Sequence, residues 1–265
     1  MRLGISYNIF DGTELLEPSI NCVRTAATFI SIIYQTVSNH GWADDEKLEN
    51  LILDLNERGL IDYFKIFYPQ PGRSPSENEV SKRNLGLWAS RENGCTHHLS
   101  MDCDEFYYKD EFAHAIFEIE REGYDVTACQ MQSYYKRPDL RVNPPEDYWV
   151  TFVTKIYEYS EFVLNGPFPE LVDPTRRMNE GNIYCPAIFH NFPRPQLQMH
   201  HMSYVRNNIR KKLENSSALD NFRDHLDQVI DHWENFKEGD RALFAGCPPV
   251  YHDLVKTRTN FSIDI

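Results

Sequence analysis

The sequence predicts an α/β fold with a mostly parallel central sheet flanked by helices and a C-terminal helical segment. Three observations carry this. Short apolar runs alternate with helix-period segments in the order β-α-β-α-β over the first seventy or so positions. Ser76-Glu-Asn-Glu79 reads as a capping box that opens a further helix. Thr96 to Met101, set off by Gly94, then reads as an interior strand that runs straight into the acids Asp102, Asp104 and Glu105.

In order, Leu3 to Asn8 is a strand that ends in a polar turn at Asn8 to Gly12. From Thr13 the residues Leu15, Leu16, Ile20, Val23 and Ala27 fall on one helical face, with Pro18 near its start. Phe29 to Tyr34 is the second strand. Residues 44–58 form an amphipathic helix, with Leu48, Leu51, Ile52 and Leu55 inward and Gly59 as its stop. Ile61 to Tyr68 is the third strand, and the capped helix carries Val80, Leu87 and Trp88. Beyond the acids, Phe112, Ile116 and Ile119 mark a helix ended by Gly123. Val126 to Tyr135 and Tyr148 to Tyr157 read as strands joined by a proline-rich connection, Arg137 to Asp147. Gln130, Gln132 and Tyr134 share one face of the first of these, as a cleft wall or as the wet side of an edge strand. Residues 160–199 are rich in Pro and Asn and show little regular pattern, which inside a compact domain marks functional or mobile loops. A long helix is expected after Ser217, with Leu219, Phe222, Leu226, Val229, Ile230, Trp233 and Phe236 as its core stripe. The chain reads as one domain over 1–265, with a nucleotide-binding part at 1–107, an acceptor and metal-completing part at 108–215, and the C-terminal helix at 216–265.

The net charge is -13, from 40 acidic and 27 basic residues, which disfavours a nucleic-acid partner. No apolar run reaches the roughly 18 residues of a membrane span, and Met1 to Asn8 reads as a first strand rather than a signal peptide. The six cysteines are scattered without a C-x-x-C pair, so reduced thiols and a cytoplasmic location are expected.

Asp102 and Asp104 are the residues with chemistry to explain. If the chain stays extended past Met101, side chains at i and i+2 share a face and the two carboxylates converge. Like charges together need compensation, and a hard divalent cation, Mn²⁺ or Mg²⁺, is the usual one. Read alone, Asp-x-Asp is more often a solvated turn; its place at the C-terminal end of a sheet strand, where open α/β sheets hold ligands, favours the site.

Three stretches together resemble family-2-like glycosyltransferases of the GT-A fold. They are Ile5-Ser-Tyr-Asn8 with Asp11-Gly-Thr-Glu-Leu-Leu16; Lys82-Arg-Asn84 leading to Gly94 and on to Phe106; and His201-Met-Ser-Tyr-Val-Arg206. The resemblance covers roughly residues 1–215. It implies a metal-dependent transfer of a sugar from a nucleotide diphosphate sugar donor to a hydroxyl of a glycan or glycolipid acceptor. It also implies roles: Tyr7, Asn8 and Gln35, with Ser38, beside the base; Lys82 and Asn84 near the nucleotide and diphosphate; Asp102 on ribose or metal. Asp104 and His201 would be metal ligands, with His200 out of register. The second strand departs from the family pattern, having Tyr34-Gln-Thr-Val-Ser-Asn39 where many members carry acids, so the base identity stays open.

Such a reaction builds negative charge on the leaving diphosphate, which a divalent ion and cations such as Lys82, Arg206 or Arg210 would stabilise. An inverting hexosyltransferase also needs a carboxylate base. Glu170 and Asp173 lie between the acceptor strand and His201, and Asp173 is preferred. Two other classes fit the same pattern less well. A metal-dependent nucleotidyltransferase would need a glycine-rich phosphate loop, which the first strand lacks. A non-catalytic nucleotide-sugar binding module would need no base.

Overall fold

A computed structural model of the chain describes residues 1–41, 47–179, 186–257 and 261–263. Its first part is the expected alternation. Strand β1 (Leu3–Ile9) leads through Gly12, in the left-handed region at φ 82°, into α1 (Thr13–Val23). Strand β2 (Phe29–Tyr34) is followed by α2 (Lys47–Glu57), β3 (Tyr63–Ile66) and α3 (Pro75–Glu92). Residues 44–46 of the expected second helix lie outside the described residues. Strand β4 (His97–Met101) comes next. β1 pairs in parallel with β2 on one side and β4 on the other, and β2 in parallel with β3. Every residue of β1 and β2 is buried, as strands covered on both faces must be.

Helix α3 lies unusually close to β1. A methyl group added at Gly86 would fall 1.9 Å from Ser6 Oγ, so only glycine lets the two backbones approach this far. The capping box of this helix is Ser74 with Glu77, two residues before the expected pair. The Glu77 N–H donates to Ser74 Oγ at 3.3 Å and the Ser74 N–H to Glu77 Oε2 at 2.8 Å. Pro75, pre-set for the first helical position, moves the start upstream.

Beyond β4 come β5 (Glu105–Phe106), α4 (Lys109–Glu122), β6 (Val126–Tyr135), β7 (Arg137–Val142) and β8 (Trp149–Lys155). β7 replaces the expected proline-rich connection. Its Pro138 is tolerated because the register with β6 shifts between Tyr134 and Tyr135. Segment 160–199 contains the small antiparallel pair β9 (Glu161–Phe162) and β10 (Met178–Asn179), then β11 (Phe189–Phe192) and the start of β12 (Gln198–Tyr204). β12 runs parallel to β6 and antiparallel to β5, which brings His201 opposite Glu105.

The C-terminal part corrects the expectation of one long helix. After α5 (Ile209–Glu214), two 3₁₀ turns at Leu219–Asn221 and Arg223–His225 lead into a shorter α6 (Leu226–Glu234). Leu219, Phe222, Val229, Ile230 and Trp233 are nonetheless buried in one cluster, because 3₁₀ spacing of three also keeps a stripe on one face. A hairpin of β13 (Ala242–Phe244) and β14 (Val250–His252) follows, and β15 (Leu254–Lys256) joins the main sheet beside β7.

The main sheet runs β15-β7-β6-β8-β4-β1-β2-β3. The protein is therefore an α/β, Rossmann-like fold, with a large central sheet flanked by helices. The sheet is parallel across β4-β1-β2-β3 and mixed beyond. Among the described residues no helix is long and apolar enough to cross a membrane.

Candidate active site

The strand order reverses at β1, which has β2 on one side and β4 on the other, and open α/β sheets leave a crevice at such a point. A cleft with about 660 Å³ of empty space opens there, at the C-terminal ends of β1 and β4. Asn8, Phe10 and Asp11 reach it from the end of β1, and Glu79, Lys82 and Arg83 from α3. The turn after β4 contributes Asp102, Cys103 and Asp104. Asp173 and Thr175 come from the loop between β9 and β10, and Arg206 and Lys212 from the stretch after β12.

The chain does not stay extended past Met101. The Glu105 N–H donates to the Asp102 carbonyl at 3.2 Å, closing a turn, and the two aspartates face different cations. Arg176 Nη2 reaches Asp102 Oδ2 at 2.6 Å, and Arg83 Nη2 lies 3.4 Å from Asp102 Oδ1. Arg206 Nη2 and Lys212 Nζ both donate to Asp104 Oδ2, at 2.6 and 3.0 Å. Arg176 also pairs with Glu105, whose other oxygen accepts the Asp102 N–H. Compensation by arginine and lysine therefore stands where convergence on an ion was expected.

Charge follows geometry. Burial alone would raise the pKa of Asp104, but Lys212, Arg206 and His201 hold it well below the carboxylate range. Asp102 is lowered too, with Arg176 and Arg83 outweighing burial. Glu105 is pushed up to about 7 by burial, against the pull of Arg176. Burial lowers His201 below the usual imidazole value, in opposition to Asp104.

Of the residues assigned from sequence, Asn8, Lys82, Asp102, Asp104 and Asp173 line the cleft. Asn8 Nδ2 donates to Ser100 Oγ at 2.9 Å, which also accepts from Arg83 Nη1 at 2.8 Å. Lys82 is buried and donates to Gln35 Oε1 at 2.5 Å and Glu79 Oε1 at 3.1 Å; Gln35 is therefore a partner of Lys82, with its amide turned to Val37 and Asn39. Tyr7 is wholly buried, its hydroxyl 3.1 Å from Ser19 Oγ, and Asn84 is bonded to both backbone atoms of Phe162; neither lines the cleft. His200 is buried, with Nδ1 2.9 Å from the Tyr134 hydroxyl, while His201 Nε2 sits 3.8 Å from Asp104 Oδ1. Gln132 donates to the Val142 carbonyl between strands, so the glutamine face of β6 is not a cleft wall. Arg210 turns away to Glu214 and Asp227, and Glu170 accepts from Asn191. Arg176 and Lys212 were not singled out in the sequence, where Lys82 and Arg83, apart from the resemblance, read as an ordinary solvated helix face.

Among the described residues no three His, Cys, Asp or Glu side chains converge as a ready metal site. The fit is narrower: Asp104 Oδ2 is taken by cations, whereas Oδ1 and His201 Nε2, 3.8 Å apart, face each other. Two ligands suit an ion that completes its shell with water and substrate phosphate.

Two buried histidines make stability pH-dependent. His98, with Nδ1 2.9 Å from Ser90 Oγ, and His200 are both lowered to about 3, mainly by burial, and neither Nε2 has a hydrogen-bond partner among the described residues. A histidine depressed in the folded state contributes stability that is present above its unfolded pKa and lost as pH falls. Unfolding free energy is expected to drop between about pH 6.5 and 3, by up to about 2 kcal/mol for each histidine at pH 5. Urea titrations at pH 7 and 5 measure this, and a His200→Gln chain should lose part of the slope.

No protein-family model and no curated protein matches the chain. Among solved structures, S. aureus TarS is similar over 50% of this chain and 22% of its own, at 15% identity and a TM-score of 0.37. Residues 1–349 of TarS in complex with UDP-GlcNAc give 15% identity, a TM-score of 0.38, and coverage of 52% and 36%. The same fragment with UDP gives 14%, 0.38, and coverage of 52% and 37%. The chain thus spans well under half the length of each.

Proposed function

We propose that this chain is a glycosyltransferase of the GT-A type, moving a hexosyl group from a nucleoside diphosphate sugar to a hydroxyl of a glycan or glycolipid. The observation that carries the reading is the cleft at the strand-order reversal. There Lys82, Arg83, Arg206 and Lys212 line the cleft beside the acids Asp11, Glu79, Asp102, Asp104 and Asp173. Such a site offers four basic side chains, held in place by the protein's own carboxylates, to a diphosphate on which charge grows as the sugar leaves. Asp173 serves as base in an inverting displacement. Its Oδ1 accepts from the Thr175 N–H and Oγ1 at 2.7 and 2.8 Å, and its Oδ2 has no hydrogen-bond partner among the described residues. Asp104 Oδ1 and His201 Nε2 would hold Mn²⁺ or Mg²⁺. When bound, the ion would supply Lewis-acid stabilisation of the diphosphate. A cytoplasmic setting, expected from the cysteines, belongs to the same proposal.

Melting curves with UDP-glucose, UDP-N-acetylglucosamine and GDP-mannose, each with Mn²⁺ or with EDTA, test the reading. One donor should stabilise the chain by about 2.7 kcal/mol at a hundred times its Kd, and EDTA should weaken that effect. Silence across the panel would overturn it. His201→Ala should lower the apparent Mn²⁺ affinity at least about tenfold, ~1.4 kcal/mol. His200→Ala should instead lower the melting temperature and leave Mn²⁺ affinity alone. Equal effects of the two changes would remove His201 from the metal.

A further inference from the structure

We infer that Arg176 is a positioning residue that sets Asp173 by clasping the loop at 163–177 to the carboxylate turn. The inference deepens the reading above and rests on Asp173 as the base. The loop is closed at its foot by β9 and β10, where Met178 pairs with Phe162 and the Val163 N–H donates to the Arg177 carbonyl at 2.9 Å. Asn84 ties this foot to α3, donating to the Phe162 carbonyl at 2.9 Å and accepting its N–H at 2.7 Å. This gives Asn84 a role that the sequence did not suggest. Within the loop, Arg177 donates to the carbonyls of Gly166 and Val172.

The tip is a single turn. The Arg176 N–H donates to the Asp173 carbonyl at 3.1 Å, and Thr175 holds Asp173 Oδ1 through both its N–H and its hydroxyl. Arg176, at the end of this turn, is 6% exposed, and its guanidinium bridges Asp102 and Glu105, with Ser100 O a further 3.4 Å contact. Asp173 and Thr175 line the cleft, but Arg176 does not. Its charge is directed at the protein's own carboxylates. Its influence on a bound donor therefore passes through the turn that carries Asp173.

A bridge of this kind fixes direction as well as distance. One planar group meets two carboxylates on the turn after β4, so the loop can neither swing nor slide without breaking a buried ion pair. A lysine at the same position keeps the charge but loses the fork.

The test uses release of nucleoside diphosphate from whichever of UDP-glucose, UDP-N-acetylglucosamine and GDP-mannose the melting screen selects. Arg176→Met should lower kcat by about 10- to 100-fold with donor KM within about threefold, and Arg176→Lys should recover part of the loss. The double variant Arg176→Met with Asp173→Asn should be no slower than Asp173→Asn alone, because groups that act as one unit are not additive. If Arg176→Met fails to fold, Arg176→Lys and Thr175→Val carry the same comparison. Additive losses, or a donor KM that rises in step with the fall in kcat, would overturn the inference and place Arg176 in the donor site. Hydrogen exchange over 163–177 reads the clasp without any turnover and should quicken at least about tenfold in Arg176→Lys, as local opening becomes easier. Unchanged exchange overturns the clasp. Quickened exchange in a chain whose wild type releases no diphosphate keeps the clasp and overturns the transferase reading instead.

Discussion

Asp104→Asn should cost the protein its stability and its turnover together. The substitution is near-isosteric, and from sequence alone it would be expected to leave the fold intact. The structure changes that expectation, because Arg206 is 2% exposed and its short ion pair is with Asp104, which Lys212 shares. Removing the carboxylate leaves a buried guanidinium without its counter-charge, a change that costs about 3–5 kcal/mol. Urea unfolding at pH 7 should show the loss as a lower midpoint. Turnover, followed as Mn²⁺-dependent release of nucleoside diphosphate, should fall by roughly 10²- to 10³-fold even where the chain is fully folded, as when one charge-stabilising group is removed from a transition state. An unchanged midpoint would mean that Arg206 and Lys212 find other partners. Unchanged turnover would remove Asp104 from the chemistry.

Asp173→Asn should behave in the opposite way, losing rate while keeping stability. An asparagine oxygen can still accept from the Thr175 N–H and hydroxyl, so the turn is retained. What is lost is the capacity to take a proton. The rate constant kcat should fall by about 10²- to 10⁴-fold, the range for a general base, with donor affinity within about threefold of the wild type. NMR of the first-formed product completes the test. A product anomer opposite to the donor's fits direct displacement assisted by Asp173. A retained anomer rejects that mechanism whatever the variant does.

The parts of the fold legible in sequence are those specified locally. Phe29–Tyr34 and Val126–Tyr135 are short apolar runs bounded by turn residues, and each is a strand with the expected ends. Gly123 closes α4 as expected because its φ of 72° is easy only for glycine. Where two local signals compete, pattern reading fails. Pro138 argues against a strand, yet pairing with β6 and β15 builds one around it. In 219–236 the apolar stripe is right and the helix is wrong, since 3₁₀ and α segments share the inward face.

The site divides along the same line. Asp102 and Asp104 could be found because they follow a buried strand at the end where open α/β sheets hold ligands, although Asp-x-Asp by itself is common. Arg176 could not, since nothing in Asp173-Pro-Thr-Arg176 says that its guanidinium will cross to the turn after β4. Arg83 and Lys212 carry the same ambiguity: a basic residue on a helix looks alike whether it meets water or a carboxylate. The choice is made by tertiary structure. The extended geometry expected for Asp102 to Asp104 failed for a related reason, as the Glu105 to Asp102 hydrogen bond turns the chain and sends each carboxylate to its own cation.

The pairing of Asp104 also bears on how the chain can be divided. Arg206 and Lys212 lie 102 and 108 positions after the aspartate they neutralise. A fragment ending at Val205 would keep every strand of the parallel half, yet it would hold a buried carboxylate with both of its cations missing. The same holds during synthesis, when the first strands and helices have emerged and α5 has not. The parallel half of the sheet is therefore not expected to fold as an autonomous unit that could be excised or grafted elsewhere. Its floor is finished by Arg206 and Lys212, which leave the ribosome long after Asp104 does.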